Sequence, residues 1–228
     1  ALFKTLAISE MLVSPYALRE GLLQDLLGRL ENRDPRDMAV QAFMSRFGVD
    51  LSQVARVKAT TLRVFDQLQG EPSLNPAHRT MLGWAADLHE TGLNLSHTSY
   101  QQHSAYLVEA SDMAGFSRQE QLFLSALVGF QRREIPLSFA DKLPERMRKA
   151  FSISLLCIRL AWIFCRTRDD ESIPDFRIQL RENQVQLTLP ESWREHHPLT
   201  CADLQTEEQA MQTVGLALET AFTTDDFT

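Results

Sequence analysis

Residues 84–108 read WAADLHETGLNLSHTSYQQHSAYLV and carry His89, His97 and His103, three of the chain's six histidines, with a fourth, His78, just upstream. Within this stretch His89-Glu90 is followed at once by Thr91-Gly92, so a nitrogen ligand and a carboxylate sit side by side where a helix stops. That is the layout of a helix ending at a metal or phosphate pocket, because a His nitrogen and an adjacent carboxylate oxygen can share one divalent ion.

Outward from this corner the period is helical. Leu51, Val54, Val57, Leu62, Phe65 and Leu68 follow a 3.6-residue repeat that Gly70-Glu71-Pro72 stops. Asn75-Pro76 reads as an N-cap and first-turn pair opening a helix through Met81, Ala85 and Leu88. Residues 100–110 form a further helix, Ser117 with Glu120 makes a capping box for the next, and residues 144–165 form the last long one. From Pro174 the period changes to two: Phe176, Ile178 and Leu180, then Val185, Leu187 and Leu189, flank Asn183 as a β-hairpin. Residues 207–221 follow as helix or strand. At the other end, Leu6, Ile8 and residues 11–13 suit a buried strand, Ser14-Pro15 turns the chain, and Leu18, Leu22, Leu23, Leu26, Leu27 and Leu30 stripe one helix face. Ser14, Arg19 and Glu20 form a polar cluster beside that stripe, with Arg19 and Glu20 read as an ion pair. The stripe has no partner within its own segment, so the chain reads as the back part of a longer protein. The charged, Pro-containing residues 32–37 are expected to be a linker.

Composition bounds the function. Of 228 residues, 44% are hydrophobic and 23% charged, ordinary for soluble globular material, and the net charge of −7 argues against general nucleic-acid binding. The longest apolar run, residues 153–165, is broken by Arg159, which excludes a membrane span there, and no secretory signal opens the chain. Cys157, Cys165 and Cys201 form no CxxC pair, so zinc is not suggested and a reducing cytoplasm is expected. Arg132, Arg133, Lys142, Arg146, Arg148 and Lys149 concentrate six positive charges in 18 residues, suited to phosphate oxygens or, equally, to a solvated helix face with internal ion pairs. No GxSxG, Walker A loop, HExxH or GxGxxG occurs.

HD-type phosphohydrolases use a dyad like His89-Glu90, but with Asp, joined by a His on an earlier helix and an Asp on a later one. Here Ser52-Gln53 and Leu160-Ala161-Trp162 stand at those places. The added methylene of Glu moves the oxygen by about 1.5 Å, whereas metal–ligand distances tolerate about 0.2 Å. An active metal site built on His78, His89, Glu90 and His97 is therefore the alternative and a degenerate pocket the main reading. His97 and His103 can donate to phosphate oxygens or satisfy helix-end backbone groups. A helical interaction module with structural histidines is the third reading.

The segment from Ser14 to Gly21 resembles the ALREG segment of the exopolyphosphatase/guanosine pentaphosphate phosphohydrolase family, and residues 84–92, Ser96-His97, 103–107, Ser111-Asp112 and Gly115-Phe116-Ser117 resemble in order the signature of its HD-like domain. Residues 129–134 are similar to that family's YHRK-like stretch, with Phe130-Gln131 where Tyr-His is usual. The resemblance implies the end of an actin-like, ribonuclease H-like domain (residues 1–32), an HD-like all-helical domain (33–170) and a small α/β domain with a hairpin (171–228). It also implies a parent enzyme that releases terminal phosphate from inorganic polyphosphate or guanosine pentaphosphate by attack of water, with magnesium bound outside this chain. The phosphate-binding loops and catalytic acid belong to N-terminal actin-like domains, so no catalytic residue is carried over. The chain's expected part is accessory: packing on those domains, forming a homodimer, and contacting phosphate through Arg132, Arg133, Arg146, Arg148 and Lys149, with His97 and His103 as further contacts. Neither membrane nor nucleic acid is an expected partner.

Overall fold

The computed structural model describes residues 34–136 and 143–224. The opening strand, the leucine stripe, the polar cluster at Ser14, Arg19 and Glu20, the ALREG-like segment and Lys142 lie outside the described residues. Helix α1 (Pro35–Phe47) starts from Asp34, whose carboxylate accepts from the Arg36 amide at 2.9 Å, and ends at Gly48 with a left-handed φ of 59°. The expected linker at 32–37 is thus overturned for its second half: proline at the first helical position and an aspartate before it are start signals, not linker signals.

Helix α2 (Leu51–Leu68) is capped by Asp50 and buries Val54, Val57, Val64, Phe65 and Leu68 along one face. Helices α3 (Pro76–Leu88) and α5 (Arg118–Phe130) open with reciprocal capping boxes, Asn75 with His78 and Ser117 with Glu120. Between them runs α4 (Tyr100–Ala110). Helix α6 (Glu145–Phe164) buries nearly every residue from Ala150 onward, so it is the axial helix around which α2, α3 and α5 pack.

The C-terminal module is strand β1 (Arg177–Arg181), strand β2 (Gln184–Pro190), helices α7 (Glu191–His196) and α8 (Pro198–Gln212) and strand β3 (Ala217–Thr223). The hairpin is as expected, antiparallel with Ile178 opposite Leu187 and Arg181 opposite Gln184. The segment 207–221 divides between the end of α8 and a third strand that lies parallel to β2, the two helices serving as the crossover a parallel pair requires. The core runs unbroken past residue 170: Phe164 stacks on Phe176 at 5.6 Å, and Gln67 of α2 accepts from the Ile178 amide at 2.8 Å. No described helix is long and apolar enough to cross a membrane.

Candidate functional site

The C-terminal ends of α3, α5 and α6 meet the N-terminus of α4 at one corner. Three helix ends leave carbonyls without intrahelical partners and carry partial negative charge, so this corner calls for donors and cations. Donors arrive from side chains. His89 follows α3, and its Nδ1 lies 2.6 Å from the Ala86 carbonyl. A carbonyl only accepts, so Nδ1 carries the proton and Nε2 presents a lone pair. The His89 carbonyl accepts from Gln131 Nε2 at 2.7 Å and Ser104 Oγ at 3.3 Å, and the Cys165 carbonyl from Gln53 Nε2 at 2.9 Å. Gly92 brings α4 close: a Cβ there would stand 2.4 Å from the Tyr100 carbonyl oxygen and 2.5 Å from the Ser104 nitrogen, which explains the glycine after the dyad.

Cations complete the corner. Arg168, with a left-handed φ of 59°, donates to Glu90 Oε1 at 2.6 Å and Asp50 Oδ2 at 3.0 Å. Arg166 pairs with Asp203. Arg132 lies over the rings of Trp162 at 4.8 Å and Tyr100 at 5.1 Å, and Trp162 Nε1 donates to the Tyr100 hydroxyl at 2.7 Å. Arg133 is exposed with a left-handed φ of 64°. Burial pushes His89 below the ordinary imidazole range, against the pull of Glu90 and the Ala86 carbonyl, so the ring stays neutral. Burial likewise raises Tyr100, opposed by Trp162 and Arg132.

His89 Nε2, Glu90 Oε2, Gln101 Oε1, Gln131 Oε1 and Arg132 Nε are buried without a hydrogen-bond partner. Four of these are acceptors, the kind of atoms a divalent ion takes as ligands. The set does not fit one. Glu90 Oε1 is 3.9 Å from His89 Nε2 and is already held by the Arg168 guanidinium. Among the described residues no three His, Cys, Asp or Glu side chains gather as a metal site.

The alternative set His78, His89, Glu90 and His97 is not assembled. His78 closes the capping box at the start of α3, where its Nδ1 accepts from the Asn75 amide at 3.1 Å. Eleven residues of helix, about 16 Å, separate it from His89. His97 is exposed on the loop before α4, and His103 is half-buried on α4 beside Gly92. The basic strip divides in two. Arg132 and Arg133 belong to the corner, against Trp162, whereas Arg146, Arg148 and Lys149 lie at the start of α6, about 24 Å along its axis. Lys149 pairs with Glu71 at 3.3 Å, and Arg148 Nε donates to the Leu143 carbonyl at 3.2 Å.

Reading by motif missed Arg159, Glu207, Arg168, Tyr100 and Trp162. Arg159 had a signal: an arginine inside an otherwise apolar helix is buried only if paired, and its partner proves to be Glu207.

Residues 36–208 match the family model described as Ppx/GppA phosphatase, domain III. The chain is 35% identical over 217 residues to a protein of Aeromonas salmonicida (strain A449) named guanosine-5'-triphosphate,3'-diphosphate pyrophosphatase, covering 94% of this chain and 44% of that one. A protein of the same name from Pseudoalteromonas translucida (strain TAC 125) is 31% identical over 219 residues, with 96% and 44% covered. The chain thus spans less than half the length of these relatives. Its helical signature, in the order and spacing seen in the fold, and these matches together show that the chain belongs to the Ppx/GppA phosphatase family.

Proposed function

We propose that this chain is the accessory, anion-binding part of a phosphoanhydride hydrolase that releases terminal phosphate from guanosine pentaphosphate or inorganic polyphosphate. The relatives' names supply the reaction class. The observation that carries the accessory role is the occupation of the dyad: Arg168 stands on Glu90, and His89 is neutral, buried and bonded to its own helix. The His89 ring is fully buried and the Glu90 carboxylate is covered by Arg168, so neither side chain is open to a substrate. Magnesium and the catalytic acid, in this reading, are held outside the chain, as are the actin-like domains it packs against.

Arg132 and Arg133 are the principal phosphate contacts. Arg132 is held by two aromatic rings, which lowers the entropy lost when its guanidinium engages an oxyanion. Arg146, Arg148 and Lys149 form a second contact that a long polyphosphate can reach while touching Arg132, and a nucleotide's short phosphate chain cannot. His97 and His103, on the α4 side of the corner, are supplementary donors. Homodimerisation and a cytoplasmic location belong to the same proposal.

Phosphate release with magnesium tests it. The 228-residue chain alone is expected to be silent on both substrates and to bind both, with activity appearing only in a longer chain. Turnover by this chain, abolished in His89→Ala, would contradict it.

A further inference from the structure

Arg159 and Glu207 form a buried ion pair, 4% and 5% exposed. They come from different parts of the fold, the axial helix α6 and helix α8 of the C-terminal module. Glu207 takes one edge of the guanidinium in a fork, Oε1 accepting from Nε at 2.5 Å and Oε2 from Nη2 at 2.7 Å. That fixes the guanidinium plane. The remaining nitrogen, Nη1, then donates to two carbonyls at once, Phe130 at 2.6 Å and Arg133 at 2.9 Å. These carbonyls are the two ends of the turn that carries Arg132 and Arg133. For its carbonyl to face inward Arg133 adopts the left-handed backbone that a side-chain-bearing residue otherwise avoids, and its side chain is thrown to solvent. Arg132 is directed onto Tyr100 and Trp162 by the same turn.

We propose that Glu207 is a positioning residue for anion binding: through Arg159 it holds the 130–133 turn so that Arg132 and Arg133 present their charges together, and the C-terminal module thereby sets the affinity of the helical corner. This rests on the phosphate-contact reading above. Gln131 ties the middle of the turn to the His89 and Val128 carbonyls, and Arg159 ties its two ends, the Arg133 carbonyl included.

The test measures binding of guanosine pentaphosphate and of inorganic polyphosphate at several salt concentrations for five proteins: wild type, R132A/R133A, the volume-conserving pair R159M/E207L, the two pairs combined, and E207Q. Replacing a buried ion pair with well-packed apolar residues leaves such folds intact in other proteins, and E207Q keeps the shape should the pair variant fail to fold. R132A/R133A is expected to weaken binding about tenfold at low salt and to flatten the salt dependence by about one unit of logarithmic slope per contact. R159M/E207L is expected to do the same without touching either arginine, E207Q to fall between, and R132A/R133A added to the pair to cause little further loss. A purely structural pair would lower the melting temperature and leave the slope of the folded protein alone. A folded R159M/E207L or E207Q with the wild-type slope, beside a flattened R132A/R133A, overturns the positioning role and leaves the phosphate contacts standing. An unchanged R132A/R133A overturns both.

Discussion

The two ends of the helical unit solve the same problem differently. At the His78 end, the N-termini of α1, α3, α5 and α6 surround a pocket of about 210 Å³ lined by Arg36, His78, Trp84, Glu120, Phe123 and Met147. At the starts of α3 and α5 the caps close within a turn, Asn75 with His78 and Ser117 with Glu120, while α6 starts without a side-chain cap. At the His89 end, local donors from His89, Thr91 and Gln131 are joined by donors from far along the chain, and five buried polar atoms have no partner. Local caps hold an end in place and ask nothing more. At the other end the arginines of the 130–133 turn, held by long-range donors, are the contacts proposed above for an anion.

The largest effects are expected where the long-range network is cut on one side only. Arg159→Met leaves Glu207 buried without its counter-charge and should cost about 3–5 kcal/mol. Chemical denaturation reads it directly, and a loss under 1 kcal/mol would mean that the pair is not holding the corner. Gly92→Ala drives a methyl into the α4 backbone and should cost about 3 kcal/mol, unless α4 shifts away, which would show as a smaller loss with weakened anion binding.

Acid separates the two ends more gently. Burial lowers His89 in the fold, so the unfolded chain takes up its proton first, at about pH 6.5. Stability is therefore constant above pH 6.5 and falls as pH drops below it toward the folded value, by at most about 1.4 kcal/mol per pH unit for His89. Melting curves of wild type and His89→Gln between pH 5 and 7.5 check the sign: the variant should lose part of the slope. His78, also lowered by burial, accounts for some of what remains. Smallest is the cap at the quiet end, where Asn75→Ala should cost about 1 kcal/mol and leave anion binding untouched.

This contrast also explains what could be read from sequence. The helix starts at Asn75 and Ser117 were legible because their partners are three residues away, and the hairpin at Asn183 because alternation is local. The dyad's position at a helix end was legible for the same reason. Its meaning was not. The groups that occupy it are separated by 78 residues for Arg168 with Glu90 and 42 for Gln131 with His89, spacings no periodicity marks. Missing ligands at Ser52-Gln53 showed that the metal set was broken; only the fold shows Gln53 serving the Cys165 carbonyl instead. The basic strip is continuous in sequence but not in space: the turn carrying Arg132 and Arg133 sits beside Trp162 near the end of α6, and Arg146, Arg148 and Lys149 at its start, a division no local pattern marks.

Hydrogen exchange with and without guanosine pentaphosphate tests the central claim most directly, because it compares both ends in one molecule without a substitution. The account predicts added protection at residues 130–134 and 165–168 and none at 75–81 or 117–120. Protection confined to the His78 end, with the Arg132 turn unchanged, would contradict it.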